Sequence, residues 1–385
     1  MSATHADIAI IGAGIAGASL AAMVGARTDG RKRIVLIEGE AQPGYHATGR
    51  SAAFWSESYG GPLVQPLTSA SGPWLEERGF LSPRGCVHIA DAAGEGALER
   101  LEAELRGCGI ACAPLDRAAL LERVPGLAPA YRRGIAEPSC RGIDVAALHL
   151  CYLTMARRAG AMVLTDARVR SLARSGGVWC VATSAGAVRA PLLVNAAGAW
   201  ADEVASLAGA APIGIRPYRR TIVQLATDPP APADMPLLID AAGGFYIKPE
   251  TGGRLWVTPH DETPAPAHDV APEEIDVAIA IDRFERALDW RVLRRERAWA
   301  GLRSFAPDRL PVYGFDARVP GFFWCAGQGG FGIQTSPAAA MLAAALLLGE
   351  AAPRGVSAID GERYAPGRFA TPPCRNPTPL AQDGR

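Results

Sequence analysis

Short apolar runs alternate with stretches of helical periodicity along the chain. Residues 7–11 and 33–38 are apolar runs of strand length, and an alanine-rich stretch of helical periodicity lies between them. Continuous apolar runs of this length are typical of strands that are buried on both faces. The order of strand, helix and strand predicts a β-α-β unit at the N-terminus.

The same periodicities predict further elements. Residues 221–265 contain short alternating segments separated by turn residues, which predicts an antiparallel sheet. Residues 273–298 place apolar groups at helical spacing, so the basic run at 291–297 is interpreted as a solvated helix face. The other predicted elements are helices at 92–106, at 145–159 and from 338, and strands at 178–182, 187–194 and 322–325.

Strand and glycine-turn patterns enclose the antiparallel stretch on both sides. The predicted fold class is α/β plus α+β, with a Rossmann-like domain built from separated segments and an inserted domain on a mixed or antiparallel sheet. The length of 385 residues fits such a two-domain chain. We assign residues 1–80, 140–212 and 300–370 to the Rossmann-like domain, 81–139 and 213–299 to the inserted substrate domain, and 371–385 to a loosely ordered tail.

Charge composition excludes two classes of function. The chain has 39 Lys plus Arg and 39 Asp plus Glu, so its formal net charge is zero. A general nucleic-acid binder would show a basic excess, and an acidic disordered protein would show the opposite. Hydrophobic residues form 49% of the chain, which is enough for a large core.

Cysteine and histidine spacing indicates neither disulfides nor a metal site. None of the eight cysteines forms a C-x-x-C pair, which predicts reduced, mostly buried thiols in a cytoplasmic protein. The six histidines show no ligand spacing, so no metal is expected. No apolar run reaches the roughly 18 residues of a membrane span, and the polar N-terminus does not resemble a signal peptide. Peripheral membrane association stays open.

The first chemical motif is a glycine turn between the first strand and helix. Gly12, Gly14 and Gly17 have the spacing G-x-G-x-x-G, and Glu38 ends the next strand. The glycines allow a tight turn, close approach to a pyrophosphate and close packing of helix on strand. The carboxylate suits ribose hydroxyls and disfavours NADP. This context predicts a dinucleotide site, and the long polar loop at 41–53 favours FAD over NAD.

A second glycine-rich turn lies near the C-terminus. Gly329, Gly330 and Gly332 would let the backbone lie flat against a ring system. Thr335 or Ser336 is expected to cap the helix that follows. The positive end of that helix would then stabilise negative charge on a reduced flavin.

Together these motifs resemble the D-amino acid oxidase-like flavoprotein superfamily. The resemblance rests on residues 12–17, Glu38, Gly-Arg-Ser-Ala at 49–52, Val-Asn-Ala-Ala-Gly-Ala-Trp at 194–200 and the turn at 327–336. These motifs extend over nearly the whole chain in the expected order. Within the superfamily the chain is most similar to the bacterial D-arginine dehydrogenases, through stretches that include 46–53, 81–84, 245–249 and 299–305.

The resemblance implies a FAD domain of the glutathione-reductase type and an enzyme that oxidises C–N bonds. The implied reaction converts a small D-amino acid to a 2-oxo acid and ammonia, with hydride transfer to flavin N5. The FAD is expected to be non-covalent, because the segment 303–308 lacks the cysteine that attaches it in sarcosine-oxidase-type relatives. The implied cofactor contacts are Gly12, Gly14, Ile15, Ala16, Gly17, Glu38, His46, Thr48, Arg50, Ser51, Ala52, Val169, Ala197, Gly198, Gly301, Gly330, Gly332, Ile333, Gln334 and Thr335.

The resemblance also implies a carboxylate clamp. Arg220 and Arg303 are expected to hold the substrate carboxylate, since a guanidinium matches that group in shape and charge. Tyr246 matches a tyrosine that bonds the same carboxylate, and Tyr59 matches one on a mobile loop over the site. Gln334 completes the expected catalytic set. The expected pocket residues are Phe54, Trp55, Cys86, Gly330 and Ile333, and the Gly330 carbonyl is expected to accept from the substrate amine.

Two departures from the arginine-type pattern change the expected substrate. Cys86 replaces an acidic residue that pairs with a cationic side chain, so we predict weak activity on D-Arg and D-Lys and a preference for neutral or apolar side chains. Phe54 replaces a histidine near the flavin, so proton handling or the pocket around the ring should differ.

The electron acceptor and the exact reaction stay open. The stretch 254–258 lacks the lysine that sarcosine-oxidase-type relatives use to activate oxygen, which favours a dehydrogenase. Quinone, dye and oxygen all stay possible acceptors. The alternative functions are a secondary-amine oxidase of the sarcosine or glycine type, a 2-hydroxy acid oxidase, and a flavin-binding accessory subunit without turnover.

Overall fold

The computed structural model describes residues 3–369. The strands are β1 Thr4–His5, β2 Ile8–Ile11, β3 Ile34–Ile37, β4 Phe54–Trp55, β5 Leu81–Pro83, β6 Cys86–Ala90, β7 Ala113–Leu115, β8 Arg133–Glu137, β9 Arg141–Ile143, β10 Met162–Leu164, β11 Val169–Ser175, β12 Val178–Thr183, β13 Gly186–Ala190, β14 Leu192–Asn195, β15 Arg216–Asp228, β16 Leu237–Asp240, β17 Tyr246–Glu250, β18 Arg254–Thr258, β19 Thr263–Pro264, β20 Arg291–Phe305, β21 Val312–Phe315, β22 Phe322–Ala326 and β23 Gln328–Gly329. The α-helices are α1 Ile15–Arg27, α2 Gln65–Glu77, α3 Glu95–Gly107, α4 Arg117–Arg123, α5 Val145–Arg158, α6 Ala201–Leu207, α7 Glu274–Ala287 and α8 Ser336–Leu348. Short 3-10 helices lie at Gly198–Trp200, Gly361–Tyr364 and Pro366–Phe369.

A six-stranded sheet carries the glycine motifs. Its order is β10-β3-β2-β14-β22-β21, and all neighbours are parallel except β21 and β22. Every residue of β2, β3 and β22 is buried, as the continuous apolar runs predict. Helices α1, α5 and α8 pack together over this sheet, and the four-stranded sheet β1-β13-β12-β11 belongs to a second core cluster with it. The predicted Rossmann-like architecture is confirmed.

Two glycines of the N-terminal motif are required by close backbone approach. Gly12 has a φ of 98°, and a Cβ there would lie 2.4 Å from the carbonyl oxygen of Ala196. A Cβ on Gly17 would lie 1.9 Å from the carbonyl oxygen of Gly12. Helix α1 can therefore begin directly against the strand that precedes it.

A larger mixed sheet has the order β23-β20-β15-β18-β17-β16-β6-β8-β7, with β19 paired to β15. All pairs are antiparallel except β16 with β6. One face packs under α7 and α4 in an apolar cluster that includes Val223, Val257 and Phe284. The predicted inserted sheet is thus present, and one of its faces is left for polar side chains.

Strand register places these polar side chains on one face. Residues directly opposite each other in neighbouring strands share a face, and the face alternates along each strand. Arg220 lies opposite Gly301, and Tyr218 lies opposite Arg303, so both arginines share a face. The same face continues across the sheet through the pairs Tyr246 with Thr258, Ile239 with His88, and Cys86 with Glu137.

The predicted helix at 273–298 is wrong in its second half. Helix α7 ends at Ala287, Leu288 is extended, and Arg291 begins the fifteen-residue strand β20. Strand β20 pairs with β15 along its length, and this long-range ladder outweighs the local helical spacing. The basic run at 291–297 is therefore an exposed stretch of strand.

The other predicted helices are confirmed as α3, α5 and α8 within three residues at either end. Three of the seven described cysteines are buried and four are partly exposed, so the prediction of mostly buried thiols is wrong, although all seven are free. Cys374 and the predicted tail lie outside the described residues. The predicted domain bounds stay a prediction, and strand β20 runs across one of them at residue 300. Within residues 3–369, no helix combines the length and apolar character needed to cross a membrane.

Replacing Gly17 by alanine tests the close approach of strand and helix. The added Cβ would collide with the carbonyl of Gly12, so we expect a loss of about 1–3 kcal/mol in the free energy of unfolding. Chemical denaturation measures it. The matched control is Gly107→Ala, where a Cβ meets nothing within 4 Å at the end of α3 and should be neutral or stabilising. Equal stability of Gly17→Ala and wild type would contradict this packing.

Candidate active site

A long cleft opens where several parallel strands end. Gly12 follows β2, Glu38 follows β3 and Ala196 follows β14, and all three line the cleft. Ligands of open α/β sheets bind at this edge. The cleft continues to the polar face of the large sheet, where Arg220 and Arg303 also line it. One continuous surface therefore joins the glycine motif to the predicted carboxylate clamp.

The glycine-motif end of the cleft has fixed polar groups. Gly14 is the N-cap of α1, and the amide of Ile15 donates to Thr48 Oγ1 at 2.9 Å. Glu38 accepts from the amide of Ala13 at 3.0 Å and from the amide of Glu40 at 3.1 Å. These bonds hold the Glu38 carboxylate at the edge of the cleft, and the N-terminus of α1 adds a partial positive charge suited to phosphate.

The loop after Glu38 joins the two large sheets. His46 Nε2 lies 2.9 Å from Glu40 Oε1, and its ring packs on Trp200. Arg50 donates to the carbonyls of Val270 at 2.9 Å and Ala300 at 3.1 Å, and it pairs with Asp269. The guanidinium of Arg50 is thus committed to protein groups, so we infer that it fixes the loop in place beside the cleft.

The C-terminal glycine turn also lines the cleft, where Gly332 lies beside Ile15 at the start of α1. A Cβ on Gly330 would lie 2.5 Å from the Tyr59 hydroxyl and 3.2 Å from the Arg303 guanidinium carbon. The amides of Gly332 and Ile333 make no backbone hydrogen bond to any described residue. Free amides and a space that a side chain would fill suit a planar ring with acceptor atoms.

The predicted cap of α8 is wrong. Thr335 is the N-cap but makes no side-chain cap bond, because its hydroxyl donates to the carbonyl of Phe331 at 2.8 Å. Instead, the amide of Ala338 donates to Ser71 Oγ at 3.1 Å. Pro337 occupies the first turn of α8, where its missing N–H leaves no helix bond unmade.

The structure brings most predicted cofactor residues together. Those that line the cleft are Gly12, Gly14, Ile15, Ala16, Glu38, His46, Thr48, Arg50, Ser51, Ala52, Val169, Ala197, Gly198, Gly301, Gly330, Gly332 and Ile333. Gly17, Gln334 and Thr335 do not line it. Gly17 allows α1 to pack closely on Gly12, and Gln334 and Thr335 are buried beside the C-terminal turn.

The cleft fits the dinucleotide that the resemblance implies. Its lining includes a helix N-terminus suited to phosphate, a carboxylate suited to ribose hydroxyls and a glycine turn with free amides. Gly12, Glu38, Thr48 and Gly332 are the residues that would hold FAD there.

Arg220 is a buried guanidinium with one free nitrogen. Its exposed fraction is 4%. Nε donates to the carbonyl of Asp261 at 2.8 Å and Nη2 to Glu262 at 3.3 Å, whereas Nη1 is buried without a partner among the described residues. Burial and the nearby charge of Arg303 lower the pKa of Arg220 to about 10. An anion beside Nη1 would relieve both effects.

Tyr246 and Arg303 offer the other free donors. The Tyr246 hydroxyl is buried without a partner within residues 3–369, and burial raises its pKa to about 12, so it stays a donor. The Arg303 guanidinium lies 5.8 Å from the centre of the Tyr59 ring, and no carboxylate of the described chain pairs with it. The predicted clamp residues therefore converge, each with unused hydrogen-bonding capacity.

Three other predicted residues have different surroundings. Phe54 packs between the rings of Tyr59 at 5.3 Å and Tyr246 at 5.6 Å, so it lies beside the clamp. Trp55 is a core residue, since its indole donates to the carbonyl of Thr68 and its ring packs on Gly72. Gln334 Nε2 donates to the carbonyl of Tyr59 at 2.9 Å, which makes it a support of the Tyr59 loop.

Cys86 lies beside an acid that sequence reasoning missed. Cys86 Sγ is 3.5 Å from Glu137 Oε2 and 3.3 Å from His88 Nε2. Burial alone would raise the pKa of Glu137, but His88, Ser58 and Ser56 hold it at about 2. The carboxylate accepts from the Ser56 hydroxyl, the Glu57 amide, the Ser58 hydroxyl and His88. With its oxygens engaged, Glu137 is not free to pair with a cationic substrate.

Cys86, His88 and Glu137 together form the kind of group that can hold a metal ion. Their ligand atoms lie within 4.8 Å of one another, although the residues lie at 86, 88 and 137 and show no ligand spacing. Hydrogen bonds among them and to the serines account for the arrangement. The expectation of no metal stays a prediction.

Comparison with known proteins identifies relatives over most of the chain. The family described as FAD dependent oxidoreductase (DAO) matches residues 7–346. The mouse (Mus musculus) mitochondrial dimethylglycine dehydrogenase is 30% identical over 52% of this chain, and the chain spans only 25% of that protein's length. The glycine oxidase of Geobacillus kaustophilus is 25% identical over 89% of this chain and 92% of its own.

Solved structures agree on the fold. The crystal structure of L-proline dehydrogenase from P. horikoshii superposes with a TM-score of 0.82 and 22% sequence identity. The match covers 96% of this chain and 98% of that one. At this identity the likeness supports the fold alone.

Removing the Glu137 carboxylate should strongly destabilise the protein. In Glu137→Ala, two serines, one amide and His88 would lose a buried acceptor, so we expect the free energy of unfolding to fall by about 3–5 kcal/mol. Chemical denaturation of the flavin-loaded protein measures this. Glu285→Ala, on the exposed side of α7, is the control and should change stability by less than about 0.5 kcal/mol. Similar values for the two variants would refute the network.

Proposed function

This chain belongs to the family of FAD-dependent oxidoreductases, and from that premise we propose that it oxidises the C–N bond of a small D-amino acid. The product would be a 2-oxo acid and ammonia. The observation that carries the proposal is a group of donors without partners in the described chain: Arg220 Nη1 and the Arg303 guanidinium, whose residues line the cleft, and the buried Tyr246 hydroxyl, which lies close enough for both arginine charges to lower its pKa. The D configuration rests on the resemblance described above.

The clamp would bind and orient the substrate through its carboxylate. Two guanidinium groups and a phenol that stays protonated match a carboxylate in charge and in donor number. Water, which carries no charge, would satisfy these donors less well. The fixed carboxylate would then hold the α-carbon near the glycine turn at Gly330.

The residues around the clamp would exclude water and handle the amine. FAD, when bound, would accept a hydride with its two electrons from the α-carbon, while the nitrogen loses a proton, and water would hydrolyse the resulting imine to the 2-oxo acid and ammonia. Tyr59, Phe54 and Phe331 form an aromatic cover whose ring centres lie 5.3 Å apart in successive pairs. We assign the Gly330 carbonyl as the acceptor that holds the substrate amine. Phe54 cannot take up a proton, so it leaves proton transfer to water or to the amine itself.

The side-chain preference follows from Cys86 and Glu137. Burial raises the pKa of the Cys86 thiol well above its ordinary value, so it carries no charge to pair with a cation. Glu137 is already saturated by four donors. We therefore propose that neutral and apolar side chains are favoured and that D-Arg and D-Lys react weakly.

A secondary-amine substrate is the second candidate. The name of one relative, a dimethylglycine dehydrogenase, favours a substrate that is methylated at nitrogen. Such substrates carry the same carboxylate, so the clamp would serve them equally. They differ at the nitrogen, near Gly330.

The proposed acceptor is a quinone or another carrier rather than oxygen. No lysine is among the residues that line the described cleft, whereas the resemblance gives sarcosine-oxidase-type relatives a lysine that activates oxygen. The cytoplasmic location stays a proposal, supported by seven free cysteines among the described residues. Peripheral membrane association would suit a quinone acceptor.

The test is anaerobic reduction of the purified flavoprotein. D-amino acids, N-methyl amino acids and hydroxy acids are added separately, and loss of the oxidised flavin spectrum is recorded. We expect neutral D-amino acids to bleach the flavin fastest, with D-Arg and D-Lys slow. Fastest bleaching by D-Arg, or by an N-methyl amino acid, would overturn the corresponding part of the proposal. Admitting air then tests the acceptor, since rapid peroxide formation would contradict a dehydrogenase.

Arg303→Lys tests the clamp directly. Lysine keeps the charge but loses the planar pair of donors, so kcat/KM should fall by roughly 10- to 100-fold, as for loss of a charged hydrogen bond. The fall should lie mainly in KM, measured by steady-state kinetics with the best substrate. Arg291→Lys, on the exposed part of β20, is the control. Unchanged kinetics in Arg303→Lys would remove Arg303 from the clamp.

A further inference from the structure

A second cavity adjoins the cleft at Arg303. Its volume is about 410 Å³, and Tyr59, Phe305 and Phe331 give it an aromatic wall. Its charged groups are mostly paired, Glu262 with Arg309 at 2.8 Å and Asp308 with Arg368 outside the cavity at 2.7 Å. The cavity is therefore large enough for an amino acid side chain and is not strongly acidic.

His260 lines this cavity in a constrained conformation. Its φ is 55°, in the left-handed region that few residues other than glycine adopt, which is often a mark of functional sites. Arg283 holds the segment by donating to the carbonyls of Pro259 and Gly244. The imidazole ring lies 6.0 Å from the ring of Tyr246, so it is directly beside the clamp.

The protonation state of the His260 ring is fixed by its neighbours. Nδ1 lies 2.8 Å from the carbonyl oxygen of Gly243, which can only accept, so Nδ1 carries the proton. Burial, together with the charges of Arg220 and Arg303, lowers the pKa of His260 to about 3. The ring is therefore neutral at physiological pH, and Nε2 has a free lone pair. No residue in the described part of the chain donates to Nε2.

We propose that His260 Nε2 accepts a hydrogen bond from the substrate side chain and so sets the preference among neutral side chains. The preferred substrates would carry a neutral donor, a hydroxyl or a carboxamide, at the end of a short side chain. This inference rests on the proposed function, because it takes the carboxylate to be held by Arg220 and Arg303.

The cavity disfavours charged side chains and, among neutral ones, prefers those that carry a hydrogen-bond donor to those that are apolar. A carboxylate side chain would face the Nε2 lone pair and gain nothing from it. A cationic side chain would meet the unpaired charge of Arg303 and the charge of Arg309. An apolar side chain of equal size would leave Nε2 without water or a donor, which is the larger penalty in a site built for a hydrogen bond.

Near-isosteric substrates isolate this hydrogen bond. D-Thr and D-Val differ by a hydroxyl in place of a methyl, and D-Ser and D-2-aminobutyrate differ in the same way. The ratio of kcat/KM within each pair is measured for wild type and for His260→Asn. Asparagine tolerates the left-handed conformation and can keep a donor to the Gly243 carbonyl, but it has no acceptor at the position of Nε2.

We expect wild type to favour the hydroxyl-bearing member of each pair and His260→Asn to lower that ratio by roughly tenfold, the worth of one hydrogen bond. Flavin content and thermal midpoint show that the variant is folded. If His260→Asn loses flavin, His260→Ala is measured instead, with the same expected change. An unchanged ratio, or an equal loss for both members of a pair, would overturn the role of His260. If no amino acid reduces the flavin of wild type, the proposed function itself has failed.

Discussion

The site depends on two like charges that lie close together, one of them buried. Arg220 is almost fully enclosed, and Arg303 is close enough to lower its pKa. Backbone and side-chain acceptors occupy Nε and Nη2 of Arg220, yet Nη1 and the nearby Tyr246 hydroxyl are left without partners in the described chain. Such an arrangement is unfavourable by itself and becomes favourable when an anion binds. We therefore regard carboxylate binding as the constraint around which the other residues are arranged.

Side chains alternate between the two faces of the large sheet, so apolar packing and polar site residues lie on opposite faces. One face packs under α7, and the opposite face carries the clamp near one edge and the Cys86–His88–Glu137 group farther across. The loop at 56–59 connects the two regions. The hydroxyls of Ser56 and Ser58 donate to Glu137, and Gln334 Nε2 donates to the carbonyl of Tyr59. A substitution at Glu137 should therefore shift the position of Tyr59 through this loop, although the two side chains make no direct contact.

Local signals predicted the glycine end of the site well. Gly12, Gly17 and Glu38 have roles set by a turn, a helix start and a strand end, all within about 30 residues, so their spacing carries the information. The first half of β20 has helical spacing in the sequence, and its strand partner β15 lies more than 60 residues away, so local pattern alone predicts a helix there. Glu137, His88 and His260 were missed as neighbours of the site for a related reason. Sheet register, rather than sequence spacing, brings them to it.

Carboxylate recognition can be measured without any turnover. An inert aromatic carboxylate and its carboxamide, benzoate and benzamide, are titrated into the flavin-loaded protein, and the change in flavin absorbance gives each Kd. We expect benzoate to bind about a hundredfold more tightly, since only it has the charge for Arg220 and Arg303 and charged hydrogen bonds are worth roughly 1.5–3 kcal/mol. Equal affinity for the two ligands would show that the two arginines do not form a carboxylate site.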